Sequence, residues 1–157
     1  MAKPRGIRNH NPFNIRYSAS IKWLGQVGQD QAGFVVFKNA ELGIRAAGRL
    51  LRTYRLKYDL LSIEGIICRW APKCENDTRN YILQITRLTG LSRSQKLNEE
   101  GYCKLASAMI KMENGQQPYD TRMINKALLS GLTNDKSGSI GILKRIVRVF
   151  RELWKRN

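Results

Sequence analysis

The chain is poor in metal-ligating residues, with one histidine, His10, and three cysteines, Cys68, Cys74 and Cys103. One histidine leaves a histidine-based metal site or a nucleophile–histidine triad poorly supplied, and three cysteines cannot all pair within the chain. Their spacing is not that of a zinc site, so neither a metal nor another cofactor is expected. No apolar run approaches the roughly 18 residues that span a bilayer. The opening Met1-Ala-Lys-Pro-Arg-Gly-Ile-Arg8 has no apolar core of a secretory signal, so synthesis in a reducing cytoplasm without a cleaved leader is expected. Acids are scarce as well: 12 Asp and Glu stand against 28 Lys and Arg, a formal charge of +16 on 157 residues. With 42% hydrophobic and 25% charged residues, disorder is not expected, and the length fits one domain with a core or one domain and a short appendage. The partner should be a polyanion, whether nucleic acid, an anionic membrane surface or the phosphates of a bacterial envelope.

The patterning predicts a mainly α chain with a small irregular or β element near its N-terminus. Residues 3–39 are rich in Gly, Asn and Gln, and their best strand is Phe34-Val-Val-Phe37. A helix follows from a cap at Asn39 to about Tyr58, with Leu42, Ala46, Leu50 and Tyr54 on one face. A second starts near Ser62 and stops before Pro72. A third, capped by Asn76 or Asp77, turns Tyr81, Ile82, Ile85 and Leu88 inward and ends at Gly90. Helices are also expected over Asn98–Met112, Thr121–Leu129 and Ile140–Arg156, the last after a linker at Thr133–Gly138. The expected division is therefore 1–133 as the folded domain and 134–157 as linker and terminal helix.

Most of the acids have ordinary explanations as helix starts or solvated faces, but Glu113 does not. The inward stripe of its helix runs Tyr102, Leu105, Ala106, Met109, Ile110, and its next position is Glu113. Burial and the negative end of the helix dipole both favour a neutral carboxyl there. A general acid in glycoside cleavage needs that environment, because it must keep its proton until the leaving oxygen accepts it. The plain alternative is a glutamate that ends a helix before Gly115. A rival acid is Glu41, which the positive dipole end of its own helix explains well.

Ala108-Met-Ile-Lys-Met-Glu113-Asn-Gly115 resembles the element around the catalytic glutamate of the lysozyme-like superfamily, the lytic transglycosylases in particular. Arg8-Asn-His-Asn-Pro-Phe-Asn-Ile-Arg16 is similar to the Asn-rich loop of bacterial cell-wall glucosaminidases. Trp23-Leu-Gly25, Phe34-Val-Val-Phe37 and the helix from Glu41 follow in that family's order. Asn76-Asp-Thr-Arg-Asn-Tyr81-Ile resembles the segment that presents a tyrosine to the catalytic carboxylate, and Arg69-Trp-Ala-Pro72 looks like part of phage lysins. In those families the glutamate helix precedes the Asn-rich loop, whereas here it follows, which implies a circularly permuted arrangement.

The resemblance implies a lysozyme-like fold and a phage protein that cleaves peptidoglycan, acting in the periplasm or cell wall or carried in the virion; a monomer is expected. Glu113 would be acid and base and Tyr81 would orient it. Asn11, Asn14, Gln116 and Gln117 would bind sugar, and Trp23 would stack on it. Trp70 could stack too, although a tryptophan beside Ala71-Pro72 is more often core. A hydrolase would need a second carboxylate, for which Asp120 is the nearest candidate; Asp120 before Thr121 is equally an ordinary helix cap. Without a second carboxylate the implied chemistry is that of a transglycosylase, in which the sugar's own 6-hydroxyl closes a 1,6-anhydro product.

The segment from Ile140 divides cleanly on a helical wheel, with Ile, Leu, Val, Phe150 and Trp154 on one half and Lys144, Arg145, Arg148, Arg151, Glu152, Lys155 and Arg156 on the other. A basic amphipathic helix with a tryptophan near its end reads as a binder of anionic membrane or lipopolysaccharide. Its alternative is a terminal helix docked on the domain. Nucleic-acid binding is the competing function, with Arg45, Arg49, Arg52 and Arg55 as its stripe; no standard motif supports it, and nucleic acid is not the expected partner. A third alternative is a virion structural protein whose wall-cleaving activity has been lost.

Overall fold

The computed structural model describes residues 2–71 and 75–133. Over them the chain forms α1 (Arg5–Arg8), β1 (Gln26–Gln29), β2 (Val35–Phe37), α2 (Ala40–Tyr58), α3 (Ile63–Trp70), α4 (Glu75–Thr89), α5 (Glu99–Asn114) and α6 (Thr121–Thr133). The fold is mainly α with a small sheet near the N-terminus. Residues 134–157 lie outside the described residues, and with them the amphipathic helix expected from Ile140 and its cations Lys144, Arg145, Arg148, Arg151 and Lys155 with Trp154.

Single polar side chains start the helices. Asn39 Oδ1 accepts the Leu42 N–H at 3.0 Å, Ser62 Oγ the Gly65 N–H at 3.3 Å, and Asn98 Oδ1 the Gly101 N–H at 2.8 Å. Each satisfies a donor that helix geometry leaves without a partner. Two boundaries differ from the sequence pattern. α4 begins at Glu75, ahead of the Asn76 or Asp77 cap expected, and its first turn is tied to the end of α3 by Thr78 Oγ1 donating to Ala71 O at 2.6 Å. α6 continues to Thr133 rather than ending near Leu129. Leu88, expected inward, is exposed in the last turn of α4; the Ile82 and Ile85 face makes the core contact instead.

α2 is the central helix, and the residues from Gly43 to Tyr54 are mostly buried. It packs on α6 with almost no side chain between the two backbones. A Cβ on Gly48 would lie 2.3 Å from Leu128 O, and one on Gly131 would lie 2.1 Å from Arg45 O. Two of the arginines expected as a stripe on α2, Arg49 and Arg55, are drawn into the packing of the core. Arg49 is buried, and desolvation, then Arg52 and Arg45, hold its guanidinium below the ordinary arginine value. Arg55 donates to Leu132 O at 3.5 Å and lies over the Tyr102 ring.

β1 and β2 are antiparallel, with Gly28 opposite Val36 and Gln29 opposite Val35, and an irregularity between Gln26 and Gly28. Arg16 bridges to Phe34, so the loop before it lies against the other edge of β2. Asn11 fixes that loop. Its Nδ2 donates to Ile15 O at 2.8 Å and Val35 O at 2.9 Å, and its Oδ1 accepts the Ile15 N–H at 2.9 Å. Asn11→Ala would strip the side-chain partner from Val35 O and the Ile15 N–H, while Ile15 O keeps the Val35 N–H at 2.9 Å, and should cost about 2 kcal/mol in a denaturant titration. A loss below about 0.5 kcal/mol would show that the loop holds its shape without this side chain.

Candidate active site

Three segments distant in sequence meet at one carboxylate. Tyr81 OH on α4 donates to Glu113 Oε1 at 3.0 Å, and Trp70 Nε1 at the end of α3 donates to the same oxygen at 3.4 Å. Asn14 Nδ2 from the N-terminal loop donates to Oε2 at 3.1 Å. Glu113 sits in the last turn of α5, half-buried, where the stripe through Met109 and Ile110 leaves the core. In a chain with 28 cations, none among the described residues forms an ion pair with it. Neutral donors therefore position the carboxyl without placing a full positive charge beside it.

Each donor is itself held. Asn14 adopts the left-handed region at φ 50°, which asparagine tolerates better than most residues. Its neighbour in space is Asn114, whose Nδ2 donates to Pro12 O and to Ile110 O, both at 2.8 Å, pinning the loop to α5. The amide oxygens of Asn114 and Asn14 would lie 2.4 and 3.1 Å from a Cβ on Gly6, so α1 can close over them only with glycine there. The Trp70 ring is wedged edge-on between Phe13 and Tyr54, with centroids 6.0 and 6.3 Å away. Burial, then the charge of Glu113 and the hydrogen bond to it, holds the Tyr81 hydroxyl far above the ordinary tyrosine value. It is thus a fixed donor throughout neutral and mildly alkaline pH.

Burial has the same effect on Tyr54, Tyr102 and Tyr119, with Arg69 opposing it at Tyr54 and Arg55 at Tyr102. Because these folded-state values are raised, the stabilisation is complete below the ordinary tyrosine value of about 10 and is lost as pH rises through the raised values. Spectrophotometric titration should show four of the six tyrosines ionising late, together with unfolding. Tyr81→Phe should remove one from that group. Simultaneous ionisation of all six near pH 10 in the folded protein would contradict the assignment.

Of the residues singled out in the sequence, Glu113, Tyr81 and Asn14 come together. Several others do not. Asn11 is fully buried and spends its amide on the loop, so it cannot bind substrate. Trp23 is core, only 9% exposed, rather than a stacking platform. Asp120 caps α6, its Oδ1 accepting the Arg122 and Met123 N–H groups at 2.9 and 3.1 Å, which is the helix-cap role. Gln117 faces away from Glu113, into a groove of about 490 Å³ on the other side of α5 with Leu88, Lys104 and Ser107. Gln116 is exposed beyond Gly115, and Glu41 is exposed in the first turn of α2. Trp70 as a donor to Glu113 was not legible: a tryptophan closing an apolar helix reads as core, and nothing local shows where its N–H points.

No family model matches the chain. Over 125 residues it is 51% identical to Protein P5 of Pseudoalteromonas phage PM2, an alignment that covers 78% of this chain and 78% of that protein. The chain belongs to the P5 family. A more distant likeness, 28% identity over 149 residues, is to a 4-hydroxy-3-methylbut-2-enyl diphosphate reductase of Chlorobium phaeobacteroides; it covers 90% of this P5-family chain and 44% of the reductase. Among the described residues of the P5-family protein, no group of three or more His, Cys, Asp or Glu could hold a metal ion, and no helix is long and apolar enough to cross a membrane.

Proposed function

We propose that this P5-family protein is a peptidoglycan-degrading enzyme that cleaves the β-1,4 bond between N-acetylmuramic acid and N-acetylglucosamine, with Glu113 as general acid and base. The observation that carries the reading is the convergence of Asn14, Trp70 and Tyr81 on one half-buried carboxyl that pairs with no cation among the described residues. Buried polar groups are normally arranged for stability, and a glutamate needed only to end a helix has no use for donors from three segments. The meeting of the Asn-rich loop with the Glu113 helix also supports a lysozyme-like site reached in permuted chain order. Similarity to a phage protein supports a role in phage entry or lysis, because a phage must breach the wall of its host.

In the transglycosylase mode, Glu113 gives its proton to the glycosidic oxygen as the C1–O bond breaks. The carboxylate then takes the proton of the sugar's 6-hydroxyl while that oxygen bonds to C1. The product is a 1,6-anhydro sugar, no water is consumed, and the carboxyl is restored. This mode is preferred over hydrolysis because Asp120, the nearest second carboxylate in sequence, is engaged as a cap. Attachment to an anionic envelope surface through the cations from Lys144 onward is part of the proposal and rests on the sequence alone.

The test is digestion of purified peptidoglycan with mass analysis of the fragments. Anhydro-muropeptides support the transglycosylase mode, and reducing ends would assign a hydrolase. Intact peptidoglycan after exposure to the folded full-length chain would remove the enzymatic reading.

A further inference from the structure

The donors around Glu113 are distributed unequally between its two oxygens, and the inequality has a chemical meaning that rests on the glycosidase reading above. A carboxylate offers about four acceptor positions, two on each oxygen. Among the described residues, Oε1 receives both Tyr81 OH and Trp70 Nε1, whereas Oε2 receives only Asn14 Nδ2. A proton on Oε1 would have to displace one of two donors, neither of which can turn away easily. The Trp70 ring is wedged between Phe13 and Tyr54, and the largely buried Tyr81 hydroxyl keeps its own proton.

We infer that Oε2 is the oxygen that carries and delivers the proton, and that Trp70 is a positioning residue which, with Tyr81, reserves Oε1 as a pure acceptor. Several consequences follow from the geometry. The glycosidic oxygen approaches from the side of Asn14, so Asn14 is the protein group beside the bond being cut. The face carrying Trp70 and Tyr81 anchors the carboxyl and does not touch the reacting atoms. Trp70 therefore acts through its N–H rather than by stacking on sugar. Removing that N–H deprives the charged carboxylate of a donor and leaves the neutral form comparatively favoured. A general acid altered in this way keeps its proton to higher pH.

Trp70→Phe retains an aromatic ring for Phe13 and Tyr54 and deletes the N–H. It should lower kcat about 10-fold, leave KM within about two-fold, and move the high-pH limb of the rate profile upward. Trp70→Ala should add a loss of stability but the same direction of shift. An unmoved limb in a folded Trp70→Phe protein would overturn the inference, as would a KM rise with unchanged kcat, the signature of a stacking platform. A second readout needs no substrate. In full-length protein labelled with ¹⁵N, the Trp70 Nε1–H resonance should move when Glu113 is replaced by Gln and should follow the protonation of Glu113 in a pH titration. A resonance indifferent to both would overturn the inference even if Trp70→Phe fails to fold. The two levels separate cleanly. Full activity of Glu113→Gln removes the glycosidase reading and with it the proton delivery, whereas an inactive Glu113→Gln beside an unmoved Trp70→Phe profile removes only the present assignment.

Discussion

Glu113→Gln should lose about 1,000-fold in the rate of peptidoglycan cleavage while the protein remains folded. Glutamine has the same shape, and its carbonyl oxygen can still accept from Tyr81 and Trp70. What it lacks is a transferable proton. Since no cation among the described residues is paired with Glu113, the substitution strands no buried charge, and stability should change by less than about 1 kcal/mol. Clearing zones on a peptidoglycan gel, read beside a thermal melt, distinguish the outcomes. A variant that clears like wild type would acquit Glu113, and Glu41→Gln would then be the next substitution to examine.

Gly131→Ala should destabilise the protein by about 3 kcal/mol or more, a large part of the 5–15 kcal/mol typical of a domain. Alanine in a helix interior ordinarily gains about 1 kcal/mol over glycine, so the expected sign is reversed. The reason is that the new Cβ would sit 2.1 Å from Arg45 O and 2.9 Å from Arg49 N, both backbone atoms of α2. A side chain could rotate aside, but a helix backbone can only move as a body. Gly48→Ala, 2.3 Å from Leu128 O, should behave alike. Gly65→Ala is the control, because its closest neighbour is the tip of Leu60 at 3.3 Å, and it should be near neutral. Denaturant midpoints of the three variants provide the measurement, and equal small effects would mean that α2 and α6 separate without cost.

These two sites show where the sequence was readable. The apolar stripe ending in Glu113 is periodic and local, so it singled out the carboxyl on which the three donors meet. Asn39, Ser62 and Asn98 announced their helices because a cap acts within one turn. Gly131 was not readable, since a glycine near a helix end looks like a stop signal until the partner helix is seen against it. β1 was missed because Gln26-Val-Gly-Gln29 has little strand propensity of its own and is held by pairing with β2. Asn11 and Asn14 share a loop and a residue type, yet one is sealed into the loop's own hydrogen bonds and the other reaches the carboxyl. Trp70 and Tyr81 illustrate the same limit. Their ring burial was implied by pattern, but the direction of an N–H or O–H is set by tertiary packing.

The three groups that hold Glu113 precede it by 99, 43 and 32 residues. During synthesis Asn14, Trp70 and Tyr81 all leave the ribosome before the carboxylate they serve has been added. Closing such long loops costs entropy before any contact compensates for it, so the site is completed late in folding. A nascent or partly folded chain therefore lacks the donor cluster around Glu113. A carboxyl that holds all three hydrogen bonds reports that each of these long-range loops has closed.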